Sequence, residues 1–156
     1  MSENLGSTTL AQVAIVVHNI EEAAKRYADI LGLPVPDPIV TAPGLDVNQT
    51  YRGAPSDARA KLAFFSVGQV QIELIEPLGG ASTWQEVLDR KGECVHHIAF
   101  WVEGMQKSVD FLKSRGIPMI QRGDMGEGQY AYFDAEPQLG VTLELLEHIR
   151  AARATP

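Results

Sequence analysis

The sequence predicts an α+β fold in which two βαβββ modules share one curved mixed sheet around a cavity, with the helices outside. Three observations carry this expectation. Apolar residues alternate along four segments, as half-buried strands require: Val13, Ile15 and Val17; Val70, Ile72 and Leu74; Ile98, Phe100 and Val102; Val141, Leu143 and Leu145. A strand, an amphipathic helix and a glycine stop occur twice, and Gly32, Leu33 and Pro34 after the first helix are echoed by Gly116, Ile117 and Pro118 after the second; self-similarity of this kind marks a duplicated unit. Neither half alone covers both faces of its sheet, so the two should pack together.

In chain order, residues 1–9 are polar and expected to fray. The first module spans residues 10–80. Its strand, Leu10 to Val17, leads to Asn19, a helix cap with Glu22 as capping-box partner. Ile20, Ala23, Ala24, Tyr27 and Leu31 then recur at helical spacing up to Gly32. Four prolines between Leu33 and Leu45 keep that stretch irregular or extended. Asp46 to Arg52 reads as a strand and Gly53 to Arg59 as a loop. Lys61 to Val67 and Val70 to Ile75 form a hairpin about Gly68 and Gln69. Residues 81–92 are a linker holding a short helix capped by Ser82 or Thr83. The second module, residues 93–148, has a strand from Cys94 to Val102 and a helix marked by Met105, Val109 and Leu112. Strands follow near Pro118 to Gln121, Gln129 to Asp134 and Val141 to Glu147, with a glycine-rich loop at Gly123 to Gly128 and a turn at Glu136 to Gly140. Residues 149–156 form a small basic tail.

Composition excludes several classes of function. A net charge of −7 and a pI near 5.0 lack the basic footprint that nucleic acid or an anionic membrane requires. The one cysteine, Cys94, cannot close an internal disulfide and reads as a small buried hydrophobe. The amino terminus has no basic and apolar signal segment, and no apolar run reaches membrane-spanning length. These features lead us to expect a soluble cytoplasmic protein.

The chemistry concentrates in residues that back onto the apolar strand faces. By strict alternation His96 shares a face with Ile98, Phe100 and Val102, while His97 shares the other with Val95, Ala99 and Trp101. The small Ala99 leaves room beside His97. Gln12 takes the matching place in the first module, and Glu73 and Glu144 match one another. Pseudo-twofold packing would bring Gln12, Glu73, His97 and Glu144 to one cavity. Two carboxylates, an imidazole and an amide oxygen suit a divalent first-row metal with positions left for water or substrate. The carboxylates would neutralise the dication. His18 and His96 read as structural or exposed, and the pattern assigns His148 no role. The segment Gly123 to Gly128 lacks the phosphate-loop pattern and reads as a mobile loop over the cavity. No G-x-S-x-G or Cys-His arrangement supports a covalent hydrolase.

At these residues the chain resembles the vicinal oxygen chelate superfamily of glyoxalases, bleomycin-resistance proteins and dioxygenases. The stretches VAIVVHNIEEAAKRYADILGL, VQIELIEPLG, STWQEVLDRKGECVHHIAFWV and GVTLELLE look most like methylmalonyl-CoA epimerases. The resemblance implies a metal (Co, Zn, Ni or Mn) held by Gln12, Glu73, His97 and Glu144, with Glu144 or Glu73 removing a proton α to a carbonyl. It also implies a small-molecule substrate of the acyl-CoA kind and a homodimer, with Arg52, Arg59, Lys61, Lys91 and Arg122 as candidates for its phosphates. The chain departs from the epimerase pattern twice. Epimerases carry histidine where Gln12 stands, and a further carboxylate where this chain has Asn48 to Thr50, with Asp46 the nearest acid. The set Gln, Glu, His, Glu resembles animal-type glyoxalase I, which makes a lactoylglutathione lyase the alternative. Replacement of the first histidine disfavours an extradiol dioxygenase. A third reading is a non-catalytic small-molecule-binding member of the same fold.

Overall fold

The computed structural model describes residues 4–148; the expected basic tail lies outside them. Ten strands form one sheet: β1 (Leu10–Val16), β2 (Ile39–Val40), β3 (Thr50–Tyr51), β4 (Ala54–Pro55), β5 (Ala60–Val67), β6 (Val70–Pro77), β7 (Cys94–Trp101), β8 (Met119–Met125), β9 (Gly128–Phe133) and β10 (Thr142–His148). The helices are α1 (Ile20–Leu31), α2 (Thr83–Lys91), α3 (Met105–Ser114) and the single turn α4 (Glu136–Leu139). The strand order is β2-β5-β6-β1-β7-β10-β9-β8-β3-β4.

The duplication is visible in the pairing. β1 runs parallel to β6, which pairs antiparallel with β5, and β5 with β2. β7 likewise runs parallel to β10, which pairs antiparallel with β9, and β9 with β8. The antiparallel pair β1 and β7 joins the two sets. A pseudo-twofold axis therefore passes between these two strands.

The chain from β2 near one edge must reach β3 near the other within ten residues, and this forces the sheet to curl. Eight strand spacings separate β2 from β3, about 38 Å if the sheet were flat. Ten residues span at most about 36 Å when fully extended, and four of them, Gly44–Val47, are coiled into a 3-10 turn. The sheet is accordingly a half-barrel.

α1 and α3 lie on its convex side. Ile20, Ala23, Ala24 and Ala28 of α1 pack on Val17, Ala63, Phe65 and Leu74. Met105 and Leu112 of α3 pack on Phe133, Leu143 and Leu145. α1 begins as its sequence dictates, with the Asn19 side chain accepting from the Glu22 backbone at 3.0 Å. α2 is the exception among the helices. Trp84, Val87 and Leu88 pack with Ala14, Val16, Ile75 and Tyr132, the other faces of the same strands, so α2 stands on the concave side.

Four local expectations are corrected. Asp46 to Arg52 is not a continuous strand, because Asn48 and Arg52 adopt left-handed backbone angles (φ 51° and 50°) that no strand contains. Gly123 to Gly128 is no loose loop: β8 and β9 pair up to Met125 and Gly128, leaving a two-residue turn. Gly128 is needed there, since a Cβ would lie 2.2 Å from the Glu147 carbonyl oxygen. The turn at Glu136 to Gly140 coils into α4. From residue 4 the amino terminus is laid on the fold, with Leu5 against the α3 core and the Trp101 N–H donating to the Thr9 carbonyl at 3.3 Å.

Candidate metal centre

Two neighbouring rows of side chains cross the concave face at the pseudo-twofold axis. In one, Glu73 on β6, Ala14 on β1, His97 on β7 and Thr142 on β10 stand side by side. In the other, Gln71, Gln12, Ala99 and Glu144 occupy the same four strands. The axis exchanges Gln12 with His97, Ala14 with Ala99 and Glu73 with Glu144. Both alanines are wholly buried. Glu73, Gln12, His97 and Glu144 stand around them on the same four strands.

One ligand atom each of Glu73, His97 and Glu144 lies within 4.8 Å of the others, and all three residues are buried. His97 Nε2 stands 3.4 Å from Glu73 Oε2 and 2.8 Å from Glu144 Oε2. The second approach lacks hydrogen-bond alignment, so His97 Nε2 and Glu144 Oε2 are both buried without a hydrogen bond. Orphaned polar atoms are costly inside a protein. A cation between them would use both lone pairs, and two carboxylates would balance its charge, so the donor set fits a divalent first-row metal. The Gln12 amide nitrogen donates to Gln71 Oε1 at 2.8 Å, a bond that leaves the Gln12 amide oxygen uncommitted.

The electrostatics follow from burial and charge. Burial pushes the Glu73 carboxyl above its ordinary value; His97 opposes this and Glu144 adds to it. Burial alone would lower the His97 imidazole, but the facing Glu144 and Glu73 outweigh it and lift the group to about 9. Burial, with the charge of His97, pushes His96 well down. Tyr132 is pushed well up, mainly by burial and then by the two glutamates.

His96 corrects the strand reading. β7 carries a bulge: Ala14 pairs with His97 but Ile15 with Val95, so His96 is an extra residue that breaks the alternation. It turns to the concave side. Its ring lies 5.0 Å from that of His97 and 5.2 Å from that of Tyr132, and it is 1% exposed. Sequence reasoning also passed over Tyr132, whose ring packs 5.0 Å from His97 and whose hydroxyl accepts from Trp84 Nε1 at 3.0 Å. Its signal was available, since Tyr132 pairs directly with Glu144 across β9 and β10. In the stretch Asn48 to Thr50, Gln49 is buried, with its amide nitrogen on the carbonyls of Ser56 and Ala58 (3.3 and 3.1 Å) and its oxygen accepting from Tyr130 (2.8 Å). Asp46 is exposed.

With this geometry in view, comparisons with known proteins give a consistent answer. Residues 11–133 match the model of the glyoxalase/bleomycin resistance protein/dioxygenase superfamily. An uncharacterized protein, YqjC of Bacillus subtilis, is 28% identical over 142 residues, covering 88% of this chain and 91% of its own. An ethylmalonyl-CoA/methylmalonyl-CoA epimerase of Cereibacter sphaeroides is 29% identical over 119 residues, 74% of this chain and 76% of its own. The crystal structure of methylmalonyl-CoA epimerase from Mycobacterium tuberculosis superposes with a TM-score of 0.67 at 22% identity, covering 99% of this chain and 97% of that one; at this identity it speaks for the fold. The matched residues make up most of the chain, from β1 through β9, and the chain belongs to the glyoxalase/bleomycin resistance protein/dioxygenase superfamily.

Proposed function

We propose that the protein is a metal-dependent epimerase or isomerase that moves a proton α to the carbonyl of an acyl-CoA thioester of the methylmalonyl-CoA type. One observation carries the reading: the buried Glu73, His97 and Glu144 converge with orphaned donor atoms, in a chain whose relatives include epimerases acting on that substrate. Glu73, His97 and Glu144 would hold the metal, with the Gln12 amide oxygen as a fourth donor. Bound there, a divalent ion (Co, Zn, Ni or Mn) would supply Lewis-acid polarisation of the carbonyl oxygen.

The chain's own residues move the proton. Glu144 or Glu73 is the base, and burial raises Glu73 toward the range where a carboxylate can both take and return a proton near neutral pH. Asn48 to Thr50 offer no carboxylate for the opposite face of the substrate carbon. The two glutamates, related by the pseudo-twofold axis, serve the two faces. Of the basic candidates for the CoA phosphates, Arg52, Lys61, Lys91 and Arg122 are paired with Glu86, Glu21, Glu136 and Asp124. Arg59, which donates to the Thr41 carbonyl, has no carboxylate partner among the described residues and is the first choice. A homodimer, as the family resemblance implies, completes this reading, and sedimentation equilibrium tests it.

The deciding experiment incubates the Co2+-loaded protein with methylmalonyl-CoA in deuterated water and follows the α position by mass spectrometry. Deuterium uptake is expected. Its absence removes this substrate. Glu73→Gln and Glu144→Gln should each abolish epimerisation, while each keeps exchange from one epimer, the opposite one in the two variants.

The amide at Gln12 favours a second reading, a glyoxalase I-type lyase working on a thiohemiacetal by the same proton transfer. Turnover of the methylglyoxal–glutathione adduct, with no exchange into methylmalonyl-CoA, would establish it instead.

A further inference from the structure

Neighbouring residues in a strand ordinarily face opposite ways, yet the bulge in β7 turns His96 to the side of His97. The consequence is a direct contact between rings. His96 Nδ1 lies 2.8 Å from His97 Nδ1, and His96 Nε2 lies 3.0 Å from the Thr83 hydroxyl oxygen. His96 is 1% exposed, His97 wholly buried and Thr83 1% exposed. Thr83 is itself fixed: it opens α2, directly after the Ser82 cap, and its backbone N–H donates to Gln121 Oε1 at 2.8 Å. A continuous buried chain thus runs from β8 through the start of α2 to the far side of the His97 ring.

The proton positions along this chain are linked. At 2.8 Å the two Nδ1 atoms share one hydrogen. A neutral His97 that offers Nε2 to a cation must carry its proton on Nδ1. That proton points at His96 Nδ1, which must be bare. The His96 proton is then on Nε2, where the Thr83 oxygen accepts it. The opposite polarity would place a proton on His97 Nε2, between the ring and the two glutamates.

We propose that His96 is a positioning residue for the site: it accepts the Nδ1–H of His97, fixes the plane of that ring and keeps its Nε2 lone pair turned toward Glu73 and Glu144. The inference rests on reading Glu73, His97 and Glu144 as a cation site. Partners of this kind, placed behind a ligating histidine, commonly set metal affinity by about 10- to 100-fold. Here the partner is a second histidine that a strand bulge makes available.

The test uses 15N-labelled protein and long-range 1H–15N NMR at neutral pH, metal-free and with Zn2+, with Co2+ calorimetry on variants. The expected result is a His96 ring bare at Nδ1 and protonated at Nε2, with a scalar coupling to His97 Nδ1 across the hydrogen bond. His96→Leu should weaken Co2+ binding by about 10- to 100-fold. His96→Asn, whose side-chain oxygen can take the place of Nδ1, should restore most of it, and Thr83→Val should give a smaller loss. Circular dichroism confirms that each variant is folded. A proton on His96 Nδ1 overturns the proposal, as does unchanged Co2+ affinity in folded His96→Leu. A wild-type protein that takes up no Co2+ overturns the cation reading of the site, and the His96 proton in the metal-free protein still decides the relay by itself.

Discussion

In the proposed metal centre a proton and a cation would compete for Nε2 of His97. Without metal the two glutamates hold that imidazole protonated up to about pH 9, so a cation has to displace the proton. Because the folded-state value is raised, binding strengthens as pH rises, by up to about tenfold per unit, and levels off above about 9. Calorimetry in two buffers of different ionisation enthalpy should show release of about one proton per Co2+ at neutral pH; heats that do not depend on the buffer would contradict it. His97→Ala and Glu144→Ala should each reduce Co2+ uptake by at least about 100-fold, since each removes one of the few proposed donors, and equilibrium dialysis reads the loss. Dialysis that finds either variant as tight as wild type would take that residue out of the ligand set. At this scale the sequence was informative where the strands are regular. Glu73, His97 and Glu144 fell on one face because period-two alternation holds through β6, the His97-to-Ala99 part of β7, and β10. His96 was misplaced because a bulge inserts one residue without any mark in composition.

Among the elements, β1 and β7 contribute absence as much as presence. Ala14 and Ala99, both wholly buried, place only methyl groups among Gln12, Glu73, His97 and Glu144. Ala99→Val is compatible with a strand, but Ala99 is wholly buried between Gln12 and Glu144, so it should cost about 1–3 kcal/mol in stability, the range for an enlarged buried residue. Co2+ affinity should also fall by at least about tenfold, as the added methyls crowd the neighbouring Glu144; a urea melt and a Co2+ titration on the same sample separate the two effects, and wild-type affinity would mean that the proposed cation does not sit over Ala99. A second element-level contact joins α2 to α4, where Arg90 Nη2 lies 2.8 Å from Glu136 Oε2 and Lys91 pairs with the same carboxylate. Their hydrogen bonds, led by that of Arg90, hold Glu136 down at about 2. A lowered carboxylate stabilises the fold at pH values above its unfolded value and loses that contribution as pH falls. Wild-type stability should therefore drop between about pH 4.5 and pH 2 more steeply than that of Glu136→Gln, as thermal melts across the range will show. Helices and long strands were legible from caps and periodicity. Asp46 to Arg52 was not, because its two left-handed residues, Asn48 and Arg52, are not glycines and carry no turn signature strong enough to break the strand pattern.

For the molecule as a whole, the duplicated pattern foretold a pseudo-twofold packing of two modules, but neither its place between β1 and β7 nor the segment that ties the halves together. Residues 41–49 have no periodicity, and their course was set by where β3 finds a partner. β3 leaves its own module to pair with β8, and Gln49, just before it, seals the crossing. Its amide nitrogen serves the carbonyls of Ser56 and Ala58, while its oxygen accepts from Tyr130 on β9 of the other module. Gln49→Leu leaves those buried carbonyls without that donor and should cost about 2–4 kcal/mol, one to two unmet buried groups. Tyr130→Phe removes the inter-module bond together with the longer one that the Tyr130 hydroxyl accepts from Gln121 Nε2 at 3.4 Å, and should cost about 1–2 kcal/mol. If the bond acts between the halves, the double variant will be more stable than the sum of the singles by about 1 kcal/mol, the coupling expected for groups in direct contact. Urea unfolding of all four proteins, followed by tryptophan fluorescence, measures this, because Trp84 and Trp101 flank the joined strands. Strict additivity would mean that Gln49 braces its own module alone, leaving the β1–β7 and β3–β8 pairs to join the halves.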